Sequence, residues 1–280
     1  MIKIIADTTS CIPPLVAQEL GIPILPQFII FGEKQFRDDT ELNSERFLDK
    51  LKASPTLPKT AAPQPSLYTP IYEDFLKQGH SIIVLCPSSE LSGTIRGASV
   101  AAKDFPSADI TILDTRSIGS GFGEMVLFAH QLALQGKDVP TIIEAVKEMA
   151  SREKLLFLVN TLEYLYKGGR IGGAKALFGS VLQVKPILEL KNGRAEAAES
   201  LRTRHKALAR FKQLIELDCP KGNSSRLTIM HGGNFDEALS LAGEFKIRYN
   251  LDNIPIYYLP PAIMVHAGPG VIAVSFFKTS

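Results

Sequence analysis

Cysteine is scarce in this sequence: its 280 residues include three, Cys11, Cys86 and Cys219. They are odd in number, far apart and without a C-x-x-C pair. This excludes a disulfide framework or a dithiol redox motif and leads us to expect reduced, largely buried thiols in a cytoplasmic protein. Long apolar runs are missing as well. The run over residues 22–31 is broken by Pro23, Pro26 and Gln27 and falls far short of the roughly 20 residues of a membrane-spanning helix. The opening Met1-Ile2-Lys3-Ile4-Ile5-Ala6-Asp7 is too short for a secretory signal and reads as a first strand. Neither sign of charge dominates: the formal net charge of +2 gives no reason to expect nucleic acid as a partner. The absence of internal repeats and low-complexity tracts argues against a solenoid or a disordered tail.

Several chemical signatures are also absent. The five histidines, His80, His130, His205, His231 and His266, show neither H-E-x-x-H nor any cysteine-histidine ligand spacing, so no metal is expected. There is no G-x-x-x-x-G-K-[ST] phosphate loop, and Gly119-Ser120-Gly121-Phe122-Gly123 is an incomplete dinucleotide fingerprint. No cofactor is therefore expected, and phosphoryl transfer by this chain itself is unsupported.

What remains is an ordinary globular composition, 45% hydrophobic and 21% charged, in a length that favours two domains. Short apolar runs at 2–6, 81–86, 110–113 and 155–159 alternate with helical patterns at 68–78, 94–104, 123–135 and 141–151. That alternation is the signature of an α/β layer with a mainly parallel sheet. Beyond residue 160 the pattern changes. Asn192-Gly193 separates two short runs and predicts a hairpin, because both positions tolerate positive φ. Helices over 203–217 and 236–249 and strands near 226–230, 254–259 and 270–277 complete a more antiparallel α+β half. We place the domains at 1–150 and 151–280. Two groups at helical spacing, Phe122, Met125, Leu127 and Phe128, and Leu177, Phe178, Val181 and Leu182, read as ordinary core stripes.

Three polar loops follow strand-like runs. Ser88-Ser89-Glu90-Leu91-Ser92-Gly93-Thr94 lies between a strand and a helix, where free N–H groups and the Ser92 and Thr94 hydroxyls suit a carboxylate or phosphate, with Gly93 allowing close approach. Asp7 and Asp114 end two other runs, where they either build a site or cap turns. Thr60 sits in a proline-stiffened segment, Pro58-Lys59-Thr60-Ala61-Ala62-Pro63-Gln64-Pro65.

These blocks, together with Thr161-Leu162-Glu163-Tyr164-Leu165-Tyr166-Lys167-Gly168-Gly169-Arg170-Ile171, Val184-Lys185-Pro186-Ile187-Leu188 and His266-Ala267-Gly268-Pro269-Gly270, closely resemble the DegV family of bacterial fatty-acid-binding proteins over nearly the whole chain. The resemblance implies a two-domain carrier holding one long-chain fatty acid, its carboxylate at the domain junction and its tail buried. It also implies that the bound acid is presented to a fatty acid kinase. On this chain the carboxylate would meet Thr60, Ser92, Gly93 and His266, while Arg170 and Arg202 would lie on a basic face that docks the partner. Ala61 departs from the serine that many relatives carry.

Plainer readings stand beside these. His266 alone would be a structural histidine, Ser92 a helix cap, and Arg170 and Arg202 solvated charges. An acyl hydrolase with Ser92 as nucleophile, His266 as base and Asp7 or Asp114 as orienting acid is the rival function, but no G-x-S-x-G elbow surrounds Ser92.

Overall fold

The computed structural model describes residues 1–177 and 184–279. Phe178, Val181 and Leu182 of the second apolar stripe lie outside the described residues.

The first half runs β1 (Ile2–Asp7), α1 (Pro14–Leu20), β2 (Ile24–Leu25), β3 (Phe28–Phe31), β4 (Lys34–Arg37), α2 (Ser44–Ala53), β5 (Lys59–Ala61), α3 (Pro65–Lys77), β6 (Ser81–Cys86), α4 (Thr94–Ala102), β7 (Ile110–Asp114), α5 (Ser120–Leu134) and α6 (Val139–Arg152). Strands β2, β1, β6 and β7 form a parallel sheet in that order. Its central strands are apolar on both faces because helices cover both: Ile4 and Ile83 pack toward α5 and α6, Ile5 and Val84 toward α3 and α4. Helix boundaries follow local chemistry. Asp138 caps α6 through the Thr141 amide, and Asn43 caps α2 through that of Arg46.

A small antiparallel sheet, β4-β3-β5, stands apart from the parallel one. The sequence reading did not anticipate it, since four-residue strands carry little periodicity of their own. It pairs Thr60 with Ile29 and thereby fixes the proline-stiffened segment.

The second half contains β8 (Glu153–Leu158), α7 (Glu163–Lys167), β9 (Lys185–Lys191), β10 (Arg194–Leu201), α8 (Arg204–Asp218), β11 (Thr228–His231), α9 (Phe235–Tyr249), β12 (Ile256–Tyr258), α10 (Pro261–Ala267) and β13 (Ile272–Phe277). Its sheet has the order β10-β9-β8-β13-β11-β12 and is antiparallel except for the β11–β12 pair. The run 155–159, grouped in sequence with the parallel strands, instead pairs antiparallel with β9 and β13. A short apolar run covered on both faces looks the same in either setting. Asn192 (φ 52°) and Gly193 (φ 76°) form the expected hairpin turn between β9 and β10.

Alternation along these strands divides the core. Leu156, Leu158, Ile229 and Val274 pack against Phe211 of α8 and Phe245 of α9, while Leu155, Met230 and Ala273 point the opposite way, toward the first half. A further helix, α10, falls where the spacing predicts no helix. Pro261 at its start presets φ, and Gly268, at φ 78°, ends it.

Candidate functional site

Between the two halves lies a cavity lined by side chains from both. One wall is the apolar face of the six-stranded sheet, with Leu155, Phe157, Leu190, Met230 and Ala273. Helix α10 contributes Ala262, Ile263 and Ala267. Polar side chains gather in the remainder: Thr9, Gln27, Thr60 and Ser92 from the first half, Arg170 and His266 from the second.

Thr60 on β5 and His266 in the last turn of α10 meet with Oγ1 2.9 Å from Nε2, across 206 residues of sequence. Burial, reinforced by the Arg170 charge, lowers the His266 pKa to about 4, so the imidazole is neutral near pH 7. Its Nδ1 is buried without a hydrogen-bond partner among the described residues. Gly168 packs against that edge of the ring. A Cβ on Gly168 would collide with Nδ1, so glycine here makes room for the imidazole.

Ser92 reaches the cavity beside Leu91. Its Oγ lies 2.9 Å from Thr94 Oγ1 and accepts a 3.3 Å bond from the Thr94 amide. Behind it is a fully buried polar cluster. Asp7 Oδ2 accepts from Thr94 Oγ1 at 2.6 Å and from Gln27 Nε2 at 2.7 Å, while Oδ1 accepts from the amide and hydroxyl of Thr9. Desolvation raises the Asp7 pKa and these donors oppose the rise. Asp7-Thr8-Thr9 was visible as a polar strand end. Gln27 carried no signal, because the β2–β3 turn that aims it has no motif.

The remaining expected positions divide. Gly93 precedes α4 at an ordinary φ of −84°; it is exposed and does not line the cavity, and a Cβ there would make only an ordinary contact with Ala62. Asp114 accepts from the Arg116 amide at 2.8 Å and stabilises its own turn. Arg170, expected on an outer docking face, is half-buried in the cavity lining: Nε donates to Leu91 O at 3.0 Å and Nη1 to Gly168 O at 2.8 Å. No carboxylate pairs with it among the described residues, and burial lowers its pKa. Arg202 is exposed and stands outside the lining. Ser92 and His266 are each bonded to a different hydroxyl and not to one another.

Comparison with known proteins adds three observations. The family model described as "Uncharacterised protein, DegV family COG1307" matches residues 1–279. A DegV domain-containing protein of Halalkalibacterium halodurans is 32% identical over 277 residues, covering 99% of this chain and 98% of that protein, and Protein DegV of Bacillus subtilis is 30% identical over 274 residues, covering 98% of each. Among solved structures, a DegV family protein from Thermus thermophilus described by its fatty acid binding superposes with TM-score 0.89 at 29% identity, covering 99% of each chain. DegV of Bacillus subtilis, described as a fatty acid binding protein, superposes with TM-score 0.87 at 28% identity and the same coverage. The chain belongs to the DegV family.

Proposed function

We propose that this protein is a carrier, and not an enzyme, that holds one long-chain fatty acid between its two halves. The carboxyl group sits at Thr60, Ser92 and His266, with the Arg170 guanidinium beside it, and the tail follows the apolar wall. The observation that carries this reading is one cavity whose walls are apolar and whose polar side chains converge on a neutral histidine, two hydroxyls and an arginine that has no carboxylate partner among the described residues. Each methylene buried there contributes about 0.8 kcal/mol before ordering costs. The fatty acid binding of the Thermus thermophilus and Bacillus subtilis relatives supports the ligand class.

The same reading treats 1–150 and 151–280 as two domains of a cytoplasmic protein, with the ligand at their junction. Presentation to a fatty acid kinase completes it, with exposed Arg202 on the docking face. The hydrolase alternative receives no support from geometry, because a serine nucleophile needs hydrogen-bond contact with its base, and both Ser92 and His266 are engaged elsewhere.

Calorimetric titration with palmitate tests the proposal. One site per chain is expected, weakened about tenfold or more in Thr60→Ala with folding unchanged, the loss that accompanies one charge-assisted hydrogen bond. No binding to the wild type, or unaltered affinity in both Thr60→Ala and His266→Ala, would contradict it.

A further inference from the structure

The hydrogen bonds behind Ser92 have a direction. Ionised Asp7 offers only acceptors, and four donors converge on it: the Thr9 amide and hydroxyl at Oδ1, Gln27 Nε2 and the Thr94 hydroxyl at Oδ2. With its single proton given to Asp7, Thr94 Oγ1 is an acceptor for its other neighbours, Gln27 Nε2 at 2.9 Å and Ser92 Oγ at 2.9 Å. Ser92 must therefore donate inward, and its oxygen shows the cavity a lone pair. A ligand carboxylate, which can only accept, meets the wrong polarity there.

The opposite side of the site has the complementary setting. An unpartnered buried N–H is rarer than an unpartnered acceptor, so the orphaned His266 Nδ1 is the lone-pair nitrogen and Nε2 carries the proton. Nε2 donates to Thr60 Oγ1, leaving the Thr60 hydroxyl free to donate into the cavity. As the protein stands, Thr60 donates and Ser92 accepts, a pair that matches a carboxylic acid.

Resting on the fatty-acid reading above, we propose that Asp7 is the terminal proton acceptor of this hydroxyl relay, so that each bound fatty acid carries one proton into the protein. The acid O–H bond breaks as its proton passes to Ser92 Oγ. The Ser92 proton passes to Thr94 Oγ1, and that of Thr94 to Asp7 Oδ2, where a new O–H bond forms. The result is a ligand carboxylate held by donors from Thr60 and Ser92 beside Arg170, with a neutral Asp7 fully buried behind it. Asp7 is a positioning residue: it never touches the ligand and acts by setting which way Ser92 points. The raised pKa of Asp7 is in keeping with that role.

Other ionisable groups surround the relay. Cys11, Cys86 and Tyr68 face Asp7, and burial holds all three protonated. Asp38, whose carboxyl burial pushes up to about 7, also faces Asp7; it accepts from the Thr8 hydroxyl and the Gln27 amide and lies outside the cavity lining. His266 and Arg170 face the head group from the second half.

The test is palmitate titration below its aggregation threshold, in two buffers of different ionisation enthalpy near pH 8, where free palmitate and Asp38 are ionised. The expected result is uptake of one proton per ligand, with Kd rising about tenfold per pH unit. Thr94→Val breaks the relay and frees Ser92 to donate outward, so its uptake should vanish and its Kd become flat with pH, while Asp38→Asn should retain the wild-type uptake. Carboxyl-labelled palmitate should give the infrared signature of a carboxylate when bound. Tight wild-type binding with no proton uptake would overturn the proposal while leaving the carrier reading intact. Uptake that persists in Thr94→Val or disappears in Asp38→Asn, or a bound ligand seen as the acid, would also overturn it. Failure of the wild type to bind palmitate would remove both readings.

Discussion

Gly168 shows how one small residue governs the site. Its φ of −78° is open to any amino acid, so the demand for glycine comes from space alone: the His266 imidazole occupies the position a Cβ would take. Gly168→Ala should push the ring away from Thr60, lowering fatty-acid affinity about tenfold and costing about 1–3 kcal/mol of stability through overpacking. Titration and thermal unfolding would check this, and unchanged affinity would separate Gly168 from the head-group geometry. At this scale the sequence was partly legible. Thr60, Ser92 and His266 could be singled out together by the resemblance that the order and spacing of their segments carry, each being modest alone, and the structure brings all three to one cavity. Gln27 was hidden, since its bond to Asp7 spans 20 residues and leaves no local pattern. Arg170 was legible as important but misplaced, because burial of an arginine depends on which loops close over it.

Among the elements, the start of β8 carries a half-buried acid. Glu153 accepts a 3.0 Å bond from Ser275 of β13, and burial pushes its pKa up to about 7 from an ordinary 4.5. Between those two values the folded state binds more protons than the unfolded chain, so stability falls as pH rises from about 4.5 to about 7 and the loss is complete above that. Glu153→Gln should remove this pH dependence and raise stability at pH 8 by about 2–3 kcal/mol. Denaturant melts at pH 5 and pH 8 would show it, and equal slopes for both proteins would contradict it. Long helices with clear caps, such as α6 and α8, were readable from spacing and end chemistry. Strands β3 to β5 and helix α10 were not, because their short lengths leave packing partners to decide their form.

For the whole molecule, the change of sheet type is the feature that makes a site. A parallel sheet delivers polar loops from its strand ends, and an antiparallel sheet presents a broad apolar face; the cavity forms where they meet. A change of pattern was visible in the sequence only beyond residue 160, one strand after the sheet type changes at β8, and the cavity was not visible, since a packed core and a tunnel wall use the same residue types. Arg202 lies outside the cavity, so charge reversal, Arg202→Glu, should leave palmitate affinity unchanged and reduce acyl phosphate formation by a fatty acid kinase about tenfold or more, a loss in keeping with removal of one interfacial charge contact. Full turnover with the variant would remove the docking role.

The central claim is that this protein holds one fatty acid, and the most direct measurement is native mass spectrometry of the purified protein alongside mass spectrometry of its organic extract. A single mass increment per chain, matched by one equivalent of fatty acid in the extract, is expected. A protein that carries no lipid, and acquires none from a panel of fatty acids, would contradict it.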